Sequence, residues 1–97
     1  MMTTIKILRK TEVIKITGLS STTIYERKKA GLFPPSINLG GRAVGYVENE
    51  VIELLNGYAA GYSDEQIKSL VKLMIEQRKQ NASAFMTALI TSNDGVA

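Results

Sequence analysis

Hydrophobic positions fall into short, separately punctuated runs along this chain, and each run predicts one element. Met1 to Lys10 reads as an extended lead-in whose Ile5, Ile7 and Leu8 cover an edge of the core. Val13 and Ile14 mark the buried side of a first helix, over about Thr11 to Thr17. Thr17-Gly18 closes it, because glycine accepts the positive φ of a helix end or sharp turn. Ser20 then offers an oxygen to the free amides of a second helix, from about Ser21 to Ala30. Ile24 is the buried centre of that helix, Gly31 is its stop, and Pro34-Pro35 prevents continuation. Leu32 and Phe33 are left to fold back as a hydrophobic clasp.

Beyond the prolines the pattern alternates. Ile37 and Leu39, then Val44 and Tyr46, are interleaved with polar residues around Gly40-Gly41-Arg42-Ala43, the signature of a β-hairpin. A two-stranded hairpin is barely stable alone, so this one must lean on the helices. A third helix starts near Glu48, where Glu48 and Glu50 suit the positive end of the helix dipole. Val51, Leu54, Leu55 and Tyr58 form its apolar face; Gly57 allows an early stop, and Gly61 is the surer end. Ser63 and Gln66 are spaced as a capping box. The stripe that follows, Ile67, Leu70, Val71, Met74 and Ile75, lapses over Glu76 to Asn81 and returns as Ala82, Phe85, Met86 and Leu89. That pattern fits one long helix or two joined near Asn81, with a frayed end from Ser92 to Ala97.

The predicted fold class is therefore mostly α with a small β-hairpin: a winged helix-turn-helix with a C-terminal helical extension. Residues 1–61 make up the winged domain and residues 62–97 the extension. The layout matters because a helix with exposed polar side chains can enter a DNA major groove and read base edges.

Charge sharpens that picture. Residues 1–47 hold eight Lys/Arg and two Glu, a net +6, whereas residues 48–97 hold four Lys/Arg against seven Asp/Glu, a net −3. A basic N-terminal half is the footprint of a phosphate-binding surface. Chemistry is narrowed from the other side. The chain has no histidine and no cysteine, which removes the usual general base, thiolate and imidazole metal ligands, nucleophile pairs and disulfides. No carboxylate pair stands on an apolar background, so the expectation is a protein that is not an enzyme. No run approaches the roughly 20 apolar residues of a membrane helix, and the first residues lack a signal-peptide pattern. The expectation is cytoplasmic residence, no membrane partner and no cofactor.

Stepping 100° per residue from Ile24 places Thr22, Glu26 and Lys29 on the opposite side of the second helix, with Tyr25 at the flank. Arg27 and Lys28 lie nearer the buried edge and extend their stems outward. Glu26 can accept from a cytosine amino group, and Thr22 can touch a thymine methyl or a phosphate. Ser21, Tyr25 and Lys28 suit phosphates, which fix register without reading sequence. Thr23 joins these candidate DNA contacts, although Ser21-Thr22-Thr23 also reads as a capping cluster and the charges from Glu26 to Lys29 also read as a solvated face. Arg42, beside Gly41 at the hairpin tip, suits a minor groove or a phosphate. Arg9 and Lys10 serve either as a backbone clamp at the other side or as solubilising charge. Ile67, Leu70, Val71, Met74 and Phe85 form a candidate assembly stripe, with packing onto the chain's own domain as the alternative.

The segments Leu8-Arg9, Glu12-Val13-Ile14, Thr17-Gly18-Leu19-Ser20, Thr23-Ile24-Tyr25, Gly31-Leu32-Phe33-Pro34 and Leu39 to Gly45 together resemble the AlpA family of small phage-associated regulators. That family is similar to the MerR-type winged helix and to excisionases, and the resemblance spans roughly Ile7 to Leu55. It implies a winged helix that binds double-stranded DNA without a cofactor. It also implies control of phage or genomic-island genes, or steering of an integrase towards excision. Ser21, Thr22, Tyr25 and Arg42 would be contacts. Many relatives carry a basic or different polar residue in place of Ser21 or Glu26, and the segment after Gly61 extends beyond the minimal domain. A short reading helix favours self-association, as a homodimer or as copies on adjacent sites. The alternative function is a protein-interaction module whose helical tail engages a recombinase or polymerase.

Overall fold

The computed structural model describes the backbone of residues 5–96, with side chains described through residue 84 and again at Met86 and Thr87. In chain order the elements are β1 (Ile7–Leu8), α1 (Lys10–Thr17), α2 (Ser21–Lys29), β2 (Ile37–Gly40), β3 (Ala43–Val47), α3 (Glu48–Ala59) and α4 (Asp64–Val96). The fold is a small winged helix-turn-helix. Two short helices lead into a hairpin, and two further helices complete the core.

The turn between α1 and α2 is built largely by two hydroxyls. Thr17 donates to the Val13 carbonyl at 2.8 Å and accepts from the Leu19 amide at 3.1 Å. Gly18 between them takes φ 73°, a region that disfavours residues with a Cβ. Ser20 Oγ accepts from the Thr23 amide at 3.1 Å and so caps α2. At the far end of α2 the Leu32 amide reaches back to the Arg27 carbonyl at 2.8 Å, which turns the chain and delivers Phe33 to the core at 1% exposure.

The lead-in contains a strand. β1 pairs antiparallel with β3, Leu8 opposite Tyr46, so the hairpin belongs to a three-stranded sheet in the order β1-β3-β2. Arg9 is the N-cap of α1, its amide donating to the Glu12 carboxylate at 3.0 Å, and Lys10 is already helical. Leu8 is buried as expected, but Ile5 stands 60% exposed, before the point where the sheet meets the core. Leu39 and Val44 are also exposed, because β2 and β3 run past the helices towards the tip.

Gly57 does not end α3. It is buried at the crossing with α4, where an added Cβ would sit 3.1 Å from both the Ile67 Cδ1 and Tyr62 Cδ2 atoms. The glycine is there for close approach. The capping box forms, with the Ser63 amide donating to Gln66 Oε1 at 2.9 Å and the Gln66 amide to Ser63 Oγ at 3.2 Å. From it α4 runs unbroken for 33 residues, so there is no joint near Asn81, and the backbone expected to fray from Ser92 is helical through Val96.

Ile67, Val71 and Met74 belong to the same buried cluster as Leu8, Val13, Ile24, Phe33, Tyr46, Val51 and Leu54, with Leu70 packed against it. This corrects the assembly stripe. Ile67 and Val71 are committed to the chain's own small core, which the winged elements alone leave open, with Met74 at its edge and Leu70 packed against it, so the set does not form a free assembly stripe. The side chain of Phe85, the fifth of the set, lies outside the described residues. Among the described residues, no helix is long and apolar enough to cross a membrane.

One polar contact inside this packing had no counterpart in the sequence reading. Glu50, 7% exposed in the first turn of α3, accepts from Arg78 Nε at 2.7 Å and also from its Nη2, while Nη2 donates to the Pro35 carbonyl at 2.8 Å. Removing one member of a buried pair strands the other charge. Arg78→Leu is expected to cost about 2–4 kcal/mol in urea unfolding, and Glu50→Leu added to it to recover most of that loss.

Candidate nucleic-acid interface

α2 is fixed from its buried side. Ile24 is fully buried, and the three cations of the last turn each meet a tyrosine ring. The Arg27 guanidinium carbon lies 5.2 Å from the centroid of Tyr58, on α3, and the Tyr58 hydroxyl donates to the Leu32 carbonyl at 3.1 Å. Lys28 Nζ donates to the Tyr46 hydroxyl, on β3, at 2.9 Å. Lys29 sits 5.5 Å over the ring of Tyr25 on α2 itself. The first two contacts bind the helix to α3 and to the central strand of the sheet. Cations at a helix C-terminus are favoured by its dipole as well.

The exposed residues of α2 are those that the phase of Ile24 selects. Ser21, Thr22, Tyr25, Glu26 and Lys29 are all exposed, Tyr25 at 57%, while Arg27 and Lys28 are half-buried. Among the described residues, no side-chain hydrogen bond or ion pair engages Ser21, Thr22 or Glu26. Thr23 differs. It is half-buried, and its hydroxyl accepts from Ser20 Oγ at 2.9 Å, so it works in the cap.

Gly41 and Arg42 form the exposed two-residue turn between Gly40 and Ala43. Asn38 Oδ1 accepts from the Gly40 amide at 2.9 Å, and the pairing shifts register between Asn38 and Gly40. Arg42 is exposed at this tip. Arg9 and Lys10 are exposed at the start of α1. The tyrosines Tyr46 and Tyr58 escaped the sequence reading as positioning residues. Each looked like one more apolar position, and only the fold brings a cation from α2 over each ring.

A short capped helix with free polar residues, followed by a hairpin with an arginine at its tip, defines a winged helix-turn-helix domain of regulatory type. The family of the prophage CP4-57 regulatory protein AlpA matches residues 6–57, more than half of the 97-residue chain. The chain belongs to this family. A relative from Enterobacteria phage P4, described as uncharacterized protein ORF88, is 43% identical over 56 residues. That match covers 58% of this chain and 64% of the phage protein's length. No solved structure matches the chain significantly. The matched segment reaches into α3 and stops before α4.

The Lys28–Tyr46 contact carries a direct expectation. Tyr46 is 1% exposed, and Lys28→Met would leave its hydroxyl without that partner, at a cost of about 1–2 kcal/mol. In chemical denaturation, Tyr46→Phe placed in the Lys28→Met background is expected to add almost nothing further.

Proposed function

We propose that the chain is a sequence-specific DNA-binding regulator of a phage or prophage, reading a major groove with α2 and an adjacent groove or backbone with the hairpin tip. One observation carries this reading. On a helix anchored by Ile24, Arg27 and Lys28, the remaining polar side chains point outward, and Ser21, Thr22 and Glu26 have no side-chain bond among the described residues. A monomeric core would gain nothing from holding those groups so firmly in the open.

The chemistry assigns roles. Glu26 accepts from a cytosine amino group, Thr22 contacts a thymine methyl or a phosphate, and Ser21 and Tyr25 bind phosphates. Lys29 faces the groove beside Tyr25. Lys28, with one donor committed to Tyr46, keeps two for a phosphate oxygen. Gly41 lets the backbone come close, while Arg42 enters a minor groove or pairs with a phosphate. Arg9 and Lys10 clamp the backbone at the start of α1. The same interface serves transcription control and the steering of an integrase towards excision. Genome-wide footprinting separates them: promoter sites mark the first, and clusters beside an integrase attachment site mark the second.

Binding is expected to weaken as salt rises, with log K falling by about 0.9 per phosphate neutralised. Arg42→Ala should lower affinity for all sequences and flatten that slope by about one phosphate contact. Glu26→Ala and Thr22→Ala should each cost about 1–3 kcal/mol on the preferred site and little on unrelated DNA, read by titration of labelled duplexes. Three variants that all bind the site as the parent does would remove the interface. Loss of all DNA binding with retained capture of a recombinase or polymerase would favour a protein-interaction module instead.

A further inference from the structure

α4 is much longer than the core requires. Among the described residues, its last buried core residue is Met74, with Ile75 packed beside it, and its last tie to the domain is Arg78, yet the helix continues to Val96. Residues 79–96 therefore run on for about 27 Å at 1.5 Å per residue. A lone helix of that size is marginal in water, and one that stands alone normally carries many charge pairs along its sides. This one does not. From Gln80 to Asn93, fourteen consecutive residues, the sequence holds no charge. The side-chain bond at its start, Gln77 Nε2 to Asn81 Oδ1 at 3.0 Å, is between neutral groups. A helix this long and this uncharged is the signature of a helix with a partner.

The place for the partner is beside the helix root. A groove of about 950 Å³ opens there, with Ile7, Ile37 and Val47 of the sheet on one wall and Met74, Asn81 and Ala82 of α4 on the other. Along α4 it extends from residue 74 to residue 82. We propose that this groove receives α4 of a second copy of the chain, in an antiparallel two-fold pair. The lengths match. The nine residues after the groove, 83–91, equal the nine-residue length of helix that it spans, 74–82. A two-fold axis near 82 and 83 lays each projecting segment over the root of the other, and both grooves are filled by one operation.

The chemistry agrees with that occupant. Helical register carries the groove-facing line of Met74, Arg78 and Asn81 on to positions 85 and 89, which the sequence fills with Phe85 and Leu89. The groove sets Ile7, Ile37 and Val47 beside Glu50, Glu53 and Arg78, and an uncharged segment brings no like charge against any of these three, nor do like charges meet at the axis. Ala82, Ser83 and Ala84 at the crossing allow the helices to approach closely. A different protein would have to offer an uncharged helix of this same length. The chain already carries one, at the right distance from its own groove.

The test uses the full chain without DNA, so its result is independent of the nucleic-acid reading. Sedimentation at tens of micromolar should give the mass of two chains, and Phe85→Glu should give one chain with an unchanged thermal unfolding of the domain. The absence of native cysteine makes single-cysteine variants unambiguous. Ala82→Cys should be joined to itself by a short bis-maleimide, whereas Ser92→Cys, about 28 Å from its counterpart in the antiparallel pair, should not. A one-chain mass for the parent protein overturns the proposal. So does cross-linking of Ser92→Cys, which marks a parallel pair whether or not Ala82→Cys is joined, or a Phe85→Glu variant that remains dimeric.

Discussion

The position of Tyr46 decides how the two halves of the winged domain meet. It lies on the central strand β3, opposite Leu8 of β1, and its ring meets that of Phe33 edge-on at 5.9 Å between centroids. Its hydroxyl accepts from Lys28 of α2. One side chain thus joins the lead-in strand, the wing, the clasp after α2 and the last turn of α2. A buried tyrosine needs a partner for its hydroxyl, and here the need is met by the element whose orientation matters most. Shifting the register of β3 by one residue would turn Tyr46 to the other face and release all four contacts together.

A second constraint joins α4 to the same frame. Arg78 binds the Glu50 carboxylate in the first turn of α3 and the Pro35 carbonyl just before β2. Glu50 lies three residues after the end of β3 and Pro35 two before the start of β2, so the guanidinium fixes both ends of the hairpin at once. Fork geometry makes arginine suited to this, since its donors reach two acceptors in one plane. The base of the wing is held from the helix that projects away from it. The tip, with Leu39, Val44 and Arg42 exposed, is left to the solvent side.

Most local structure was legible because it is written in neighbouring residues. The turn at Gly18, the caps at Ser20 and Ser63, the hairpin and the outward face of α2 all follow from spacing or from one residue's conformational preference. What escaped detection depends on distant partners. β1 is only two residues long, too short to show alternation, and the signal for it was Gly45, a residue in β3 whose missing Cβ makes room for Ile7. Gly57 looked like a helix stop because a glycine needed for close approach carries the same letter as one needed for a turn. Arg78 fell in the polar gap of the α4 stripe and carried no signal of its own, because its partners Glu50 and Pro35 are distant in sequence. The stripe from Ile67 to Met74 was open to two readings, since apolar periodicity alone does not say whether the covering surface belongs to the same chain.

The division of labour within α2 sets how much sequence such a protein can read. Nine residues form the helix. Ile24, Arg27 and Lys28 orient it and Thr23 completes its cap, which leaves Ser21, Thr22, Tyr25, Glu26 and Lys29. On the proposed reading, only Thr22 and Glu26 of these carry base discrimination, and the others supply position and charge. Each good base contact distinguishes by about 1–3 kcal/mol, so one copy discriminates by a few kcal/mol at most, at the low end of the roughly 4–10 kcal/mol that separates specific from non-specific binding. Adding charge raises affinity for every sequence alike and leaves that gap unchanged. A second copy widens it, because two reading helices at a fixed separation add their discrimination and impose a spacing as well. In a small domain half of a short helix must serve the fold, and on the proposed reading a second copy is the physical route to the discrimination that this half gives up.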